Sequence, residues 1–243
     1  IRHSKIVFGS DDGCLWSASS KSAQVLCSIG SMVLCCKIHP VKYIIASGTQ
    51  SGDIWINDLT TGVTVERIGG DNIPTVSMAF SQGGEYLAVG NYSGLLRILD
   101  GNSFKEIFSL EVGDAIKSIT FLGEHNQLCL GAADGSLAIV DVPKEKVTYT
   151  HNNVFLPNAV GWSNSLGKII SVGRDLFIRS WNKSLQMEEI ATNHSRSIKS
   201  LAISPDGSYF LTSGYDSVIS LWKEMKVVNE FTFHELPGIA AIA

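Results

Sequence analysis

Three residue types that cooperate in hydrolysis lie near one another towards the end of the chain. They are His194, Ser213 and Asp216. In a hydrolytic triad the serine attacks, the histidine takes its proton, and the carboxylate holds the imidazole in one tautomer. However, the sequence contains no G-x-S-x-G, no H-E-x-x-H and no phosphate-binding loop. What these side chains do therefore depends on the elements that carry them.

The cysteines and histidines show no spacing typical of a metal site. The number of cysteines is odd and no C-x-x-C occurs; they are Cys14, Cys27, Cys35, Cys36 and Cys129. Two of them are adjacent on a predicted strand and so point to opposite faces. We interpret all five as reduced core residues of an intracellular protein, and we expect no metal and no cofactor.

Composition narrows the class of protein. The formal net charge is −4 and no run of five like charges occurs, which argues against a nucleic-acid surface. No apolar stretch reaches the length of a membrane span, and no signal peptide is visible. The chain starts at Ile1 rather than Met and stops in an apolar run, so we expect both ends to be cut from a longer chain.

A glycine that follows an apolar run recurs every 39 to 42 residues. Its positions are Gly9, Gly48, Gly90, Gly131, Gly173 and Gly214. A short polar turn and another apolar segment follow each glycine. In the last repeat, the turns at 204–207 and 214–217 separate three short apolar segments, which indicates an antiparallel meander. A period of about 40–45 residues with four strands is typical of a propeller blade.

The stretch from Ser204 to Trp222 resembles the WD-repeat β-propeller family. Its repeats carry Gly-His before the first strand and Trp-Asp after the third, for which Asn193-His194 and Trp222-Lys223 stand here. No repeat has both pairs intact, but the period extends the resemblance to the whole chain. It implies one all-β domain, residues 1–243, built of four-stranded antiparallel blades. The expected bounds of the six blades are 1–30 together with 235–243, 31–69, 70–111, 112–151, 152–192 and 193–234.

Two arrangements of these blades remain open. The first blade lacks its first strand, and Ile239 falls one period after Ile198, so residues 239–243 are predicted to be a first strand without a blade. If the two ends pair, the blades close a ring of six, since six periods of about 41 residues give roughly 246. The alternative is six blades of a ring of seven.

The resemblance also assigns a structural role to the triad-like residues. Repeats of this family often hold a buried hydrogen-bonded set of His, Ser, Asp and Trp, which matches His194, Ser213, Asp216 and Trp222 here. A buried indole N–H needs an acceptor such as a hydroxyl. In the preceding repeat Asp175 and Trp181 remain, whereas Val172 stands at the position matched to the serine. The resemblance thus implies that the set is structural and not catalytic.

Partners of the family often bind the loops between second and third strands and the loops between blades. The residue before the turn acid is a frequent contact, and the matching positions are Asp11, Gln50, Tyr92, Ala133, Arg174 and Tyr215. Arg196 lies in a neighbouring loop between blades. Tyrosine and arginine are the residue types enriched at interface hot spots. We therefore predict a protein-binding face that contains Tyr92, Arg174 and Tyr215, together with Arg196, Gln50 and Asp11.

The resemblance implies a non-catalytic scaffold that binds proteins or peptides as part of a larger assembly. We expect it in the cytoplasm or nucleus of a eukaryotic-like cell. The alternative is an enzyme, or a small-molecule or metal binder, that uses a central channel. Acidic residues recur at one repeat position, namely Asp12, Asp134, Asp175 and Asp216, and at a channel they would favour metal-assisted hydrolysis. The family alignment makes them turn residues instead.

Overall fold

A computed structural model describes residues 6–19, 21–123, 126–152 and 155–242, with the backbone alone for 148–152. The outermost residues of the predicted domain, 1–5 and 243, lie outside this part of the chain. The protein forms two compact units, Ile1–Glu111 and Val112–Ala243. The described residues contain no α-helix, and the strands pair antiparallel throughout. The predicted all-β class is confirmed, and a single domain over the whole chain stays a prediction.

The first unit consists of three antiparallel sheets whose strands pair in chain order. The first sheet has three strands: β1 (Ile6–Gly9), β2 (Cys14–Ala18) and β3 (Ala23–Ser28). The second has four: β4 (Val33–Ile38), β5 (Ile44–Thr49), β6 (Ile54–Asp58) and β7 (Thr64–Ile68). The third has four: β8 (Thr75–Phe80), β9 (Tyr86–Asn91), β10 (Leu95–Asp100) and β11 (Glu106–Glu111). The three strands of the first sheet agree with the expected lack of a first strand.

The second unit repeats this four-stranded pattern three times. Its first sheet contains β12 (Ile116–Phe121), β13 (Gln127–Ala132), β14 (Ser136–Asp141) and β15 (Lys146–Asn152). The next contains β16 (Pro157–Ser163), β17 (Lys168–Gly173), β18 (Phe177–Trp181) and β19 (Met187–Ala191). The last contains β20 (Ile198–Ile203), β21 (Tyr209–Gly214), β22 (Val218–Lys223) and β23 (Lys226–Thr232).

The recurring glycine has a steric cause. A Cβ added at Gly48 would lie 2.4 Å from Cγ2 of Thr75, the first residue of the following sheet. A Cβ at Gly131 would lie 2.8 Å from Cγ of Pro157, which again opens the following sheet. At these two positions, each within one unit, the first strand of the next sheet thus approaches the backbone of the preceding second strand too closely for a side chain. Within each unit, the recurring glycine therefore marks the contact between consecutive sheets.

Apolar side chains from consecutive sheets pack together within each unit. In the first unit, Met78 and Val89 of the third sheet pack with Ile54 and Ile56 of the second. In the second unit, one cluster joins Leu137 to Ile169 and Trp181, and another joins Ile178 to Phe210 and Trp222. Each fully buried large apolar side chain contributes about 1.5–3 kcal/mol relative to an exposed one. Sheet-on-sheet burial is therefore the main source of stability.

The strand predicted at residues 239–243 is not formed among the described residues. A strand needs a ladder partner, and the N–H groups here have other acceptors. Ile239 N donates to Gly214 O at 2.9 Å, and Ile242 N donates to Ser200 Oγ at 3.1 Å. The second bond matches the one from Val160 N to Ser118 Oγ, at 3.0 Å, which joins two consecutive first strands. The segment thus lies where the next first strand would begin, and both ring arrangements stay predictions.

Candidate protein-binding face

A chain of buried hydrogen bonds crosses the last sheet. Nδ1 of His194 lies 2.9 Å from the carboxylate of Asp216, and Nε2 lies 2.9 Å from Oγ1 of Thr212. The indole of Trp222 donates to the same hydroxyl at 3.0 Å. The histidine, the threonine and the tryptophan are all buried. Because Nδ1–H donates to the carboxylate, Nε2 accepts from the hydroxyl, which in turn accepts from the indole, and every group is satisfied.

Thr212, and not Ser213, supplies the hydroxyl of this network. Phe210 pairs with Trp222 and Thr212 pairs with Ser220, so these four side chains share one face of the sheet. Ser213 points to the opposite face and donates to the backbone oxygen of Ile239 at 3.2 Å. The assignment of Ser213 to the set is therefore corrected by one residue. Thr212 is fully buried, so the network presents no nucleophile to a substrate.

The turn aspartate of this network is held in its charged form. Burial raises the pKa of Asp216, but hydrogen bonds from the Ser195 N–H and from His194 outweigh it, so the pKa lies below its usual value. The carboxylate also accepts from the Val218 N–H. Asp216 thus ties the loop before the first strand to the turn after the second. This bond network makes the turn that carries Tyr215 rigid.

In the preceding sheet, the buried tryptophan and the turn aspartate have different partners. The indole of Trp181 donates to Ser171 Oγ at 2.8 Å, so the position matched to Val172 is also shifted by one residue. The turn aspartate, Asp175, pairs with the guanidinium of Arg179. That group also lies 3.2 Å from Glu189 and 3.7 Å from the ring centre of Phe155. Arg179 thus pairs with the turn aspartate of its sheet, as His194 does in the last sheet.

Three of the predicted face residues occupy equivalent backbone positions. Gln50 N donates to Met32 O at 2.9 Å, Tyr92 N to Pro74 O at 3.0 Å, and Tyr215 N to Ser197 O at 3.1 Å. Each bond ties the turn after a second strand to the loop before a first strand. All six predicted side chains are exposed: Asp11, Gln50 and Tyr92 in the first unit, and Arg174, Arg196 and Tyr215 in the second. Their role in binding stays a prediction.

The sequence-based prediction missed one cation beside this face. Nζ of Lys199, the second residue of β20, lies 5.3 Å from the ring centre of Tyr215. Lysine also stands at the second position of β12, as Lys117. This recurrence at one repeat position is the signal that indicates a lysine beside the turn.

Neither a metal site nor a membrane helix emerges from the described residues. They bring together no group of three or more histidine, cysteine, aspartate or glutamate side chains suited to an ion. Within the same residues, no helix has the length and apolar character to cross a bilayer.

Successive antiparallel sheets that pack face to face within each unit, all four-stranded except the first, define the blades of a β-propeller. The family model described as WD domain, G-beta repeat matches residues 187–223. The solved WD40 repeats of RRP9 have the same fold, with a TM-score of 0.78 and 20% identity over 91% of this chain and 66% of that one. The chain is thus similar to WD-repeat β-propellers, in its fold and in the one repeat that the family model matches.

Two relatives are more similar in sequence than that structure. The chain is 25% identical over 192 residues to the Periodic tryptophan protein 2 homolog of Schizosaccharomyces pombe, with 77% of this chain and 20% of the relative covered. It is 27% identical over 146 residues to THO complex subunit 3 of Arabidopsis thaliana, with 58% of this chain and 46% of the relative covered. The chain thus spans about a fifth and about half of these relatives.

Proposed function

We propose that the chain is a non-catalytic scaffold that binds partner proteins or peptides through the turns that follow its second strands. The supporting observation is the exposure of Tyr92 and Tyr215, at 47% and 46%, on turns locked by the same backbone bond. A large amphipathic side chain on a rigid turn loses little conformational entropy when a partner covers it. Such residues are typical hot spots.

We further propose that the chain acts inside a larger assembly. One relative is named as a subunit of a complex, and the chain matches about half of it. An intracellular location agrees with the five cysteines, which are free thiols. Burial raises the pKa of Cys129 to about 12, so this thiol is inert at neutral pH. No observation on the described residues favours chemistry in a channel.

Affinity capture from a cell extract tests the proposed face. The test variant combines Tyr92→Ala, Arg174→Ala and Tyr215→Ala. The matched control combines Tyr43→Ala, Arg67→Ala and Tyr209→Ala, three exposed side chains outside the predicted face. Quantitative mass spectrometry should show partners of the unaltered chain reduced about tenfold or more in the test variant, as expected for hot spots. The control should retain them.

Thermal unfolding of both variants establishes that they are folded. If the test variant recovers the same partners as the control, the face is not the main binding site, and the proposed function loses its structural basis.

A further inference from the structure

Three backbone segments of the second unit meet around Tyr215. The turn 214–217 carries the tyrosine, and its N–H donates to Ser197 O at 3.1 Å in the loop before β20. On the other side, Ile239 N donates to Gly214 O at 2.9 Å, and the Ser217 hydroxyl donates to Leu236 O. Both neighbours of the turn are thus bonded to it directly. The surface around Tyr215 is preorganised before any partner arrives.

The packing of these segments is close enough to exclude side chains at two glycines. A Cβ added at Gly214 would lie 2.7 Å from Ser197 O and 3.4 Å from Arg196 O. A Cβ added at Gly238 would lie 3.0 Å from both Cα and Cδ1 of Tyr215. The tyrosine therefore rests on the backbone of Gly238, and the backbone of Arg196 passes close to the adjacent Gly214. This places the arginine, Lys199 and the tyrosine ring on neighbouring segments.

The two cations of this surface have no carboxylate of their own. Neither Arg196 nor Lys199 forms an ion pair with the described residues. The adjacent Asp216 does not pair with them, because its carboxylate already accepts from His194, from Ser195 N and from Val218 N, and only 3% of its side chain is exposed. Glu235, exposed on the turn before Leu236, adds one negative charge to the two positive ones. Among the solvent-accessible side chains of this surface there are thus two positive charges and one negative charge, while the carboxylate of Asp216 is buried beneath them.

We propose that Arg196, Lys199 and Tyr215 bind an acidic segment of a partner protein, with its carboxylates on the two cations and an apolar residue on the tyrosine ring. Arginine and lysine form charge-assisted hydrogen bonds with carboxylates. The exposed ring and the neighbouring Leu236, 48% exposed, supply the apolar contact. Two cations are too few to hold the phosphate backbone of a nucleic acid against salt. This inference rests on the proposed function and names the chemistry of its partner.

The same sheet provides a matched control at another position. Lys223 lies over Tyr209 with Nζ 5.2 Å from the ring centre, almost the distance found for Lys199 and Tyr215. Tyr209 is 37% exposed, so both pairs are accessible. Glu224 follows Lys223 directly, whereas Arg196 reinforces Lys199. The two sites therefore share the lysine–tyrosine pair and differ in local charge.

Fluorescence anisotropy measures the proposed contact. The probe is a fluorescein-labelled peptide of alternating glutamate and leucine, and the control peptide has glutamine in place of each glutamate. The unaltered chain should bind the glutamate peptide, with an affinity that falls as salt rises. The double variant Arg196→Gln/Lys199→Gln should weaken binding about tenfold or more, because each charged hydrogen bond contributes that much. Lys223→Gln should leave it within about twofold.

Each other outcome overturns the inference. The inference is wrong if the unaltered chain does not bind the glutamate peptide. It is also wrong if the glutamine peptide binds as tightly as the glutamate peptide, or if the double variant binds as tightly as the unaltered chain. Tighter binding of a single-stranded RNA of similar length would assign the surface to nucleic acid instead. Thermal unfolding of the double variant establishes that it is folded. The affinity capture distinguishes this result from a failure of the proposed function. If the test variant loses its partners but the unaltered chain does not bind the glutamate peptide, only the acidic nature of the partner is rejected.

Discussion

Each of the last two sheets of the second unit has a tryptophan and a turn aspartate at equivalent positions, but the hydrogen bonds of these residues differ between the two sheets. In the last sheet one hydrogen-bonded chain runs from Trp222 through Thr212 and His194 to Asp216. In the preceding sheet the chain is broken. Trp181 ends at Ser171, and Asp175 pairs separately with Arg179. One network is complete and contains a single charge, the Asp216 carboxylate, and the other depends on a buried cation.

The difference shows what this fold requires at the position. The buried indole needs a hydroxyl, and the turn aspartate needs a donor, whichever residue type supplies it. In both sheets a hydroxyl, that of Thr212 or of Ser171, accepts from the indole. Histidine donates to the aspartate through one ring nitrogen and accepts from that hydroxyl through the other. Arginine donates to the aspartate but cannot accept, and its Nε and Nη1 have no hydrogen-bond partner among the described residues, nor has Oδ1 of Asp175. The arginine network is therefore more sensitive to the loss of one member.

The largest effect is expected from Asp175→Ala. It leaves the guanidinium of Arg179, 8% exposed, with the more exposed Glu189 as its remaining ion-pair partner. Removing one partner of a buried pair typically costs about 3 kcal/mol. Urea denaturation should show this loss. The double variant Asp175→Ala/Arg179→Met should recover most of it, because methionine carries no charge that needs a partner. A double variant as unstable as the single one would contradict a charge-based explanation.

A smaller loss is expected from Thr212→Val, which keeps the shape of the side chain. The indole of Trp222 and Nε2 of His194 both lose their partner, and we expect a loss of about 2 kcal/mol. Ser213→Ala removes a single bond to Ile239 O and should cost less than about 1 kcal/mol. Denaturation of the two variants side by side decides between the adjacent hydroxyls. The reverse order would restore Ser213 to the network.

Leu176→Gly should stabilise the arginine-containing sheet. Four earlier turns carry glycine at this position with positive φ, namely Gly13, Gly52, Gly94 and Gly135, whereas Leu176 and Ser217 adopt φ of 70° and 62°. A residue with a Cβ is strained in the left-handed backbone conformation. Relief of this strain should exceed the entropy cost of glycine, so we expect a net gain in stability of about 1 kcal/mol. Ser217→Gly should gain less, because it also removes the bond to Leu236 O. Equal gains in thermal unfolding would show that this bond contributes nothing.

The smallest effect is a pH dependence confined to the last sheet. The pKa of Asp216 lies below its ordinary value of 3.8, because the hydrogen bonds of the carboxylate outweigh its burial. The unfolded chain therefore takes up the proton first as the pH falls. The contribution of Asp216 to stability is complete above pH 3.8 and is lost as the pH falls through the lower folded pKa. The stability difference between the chain and Asp216→Asn should shrink over that range. A difference independent of pH would contradict it.

The repeat itself could be predicted from the sequence, because its signals are local. A glycine at Gly48 or Gly131 reflects a close approach of backbone that no other residue allows, so it marks the period wherever it occurs. The hydroxyl of the network could not be predicted, because Thr212 and Ser213 are adjacent and chemically similar. Only the pairing of Phe210 with Trp222 settles which of them faces the indole. A shift of one residue on a strand reverses the face.

The sequence by itself determined the repeated unit, its glycines, and the turn positions that carry Tyr92, Arg174 and Tyr215. These follow from short-range sterics and turn chemistry, which act within a few residues. Only the tertiary structure determines which partner a charged side chain contacts on another strand. Arg179 meets Glu189 because the register of β18 and β19 places them opposite each other. Lys199 lies over Tyr215 because β20 pairs with β21, which leads into the turn that carries the tyrosine. Such contacts depend on distances between strands, and no local pattern in the sequence encodes them.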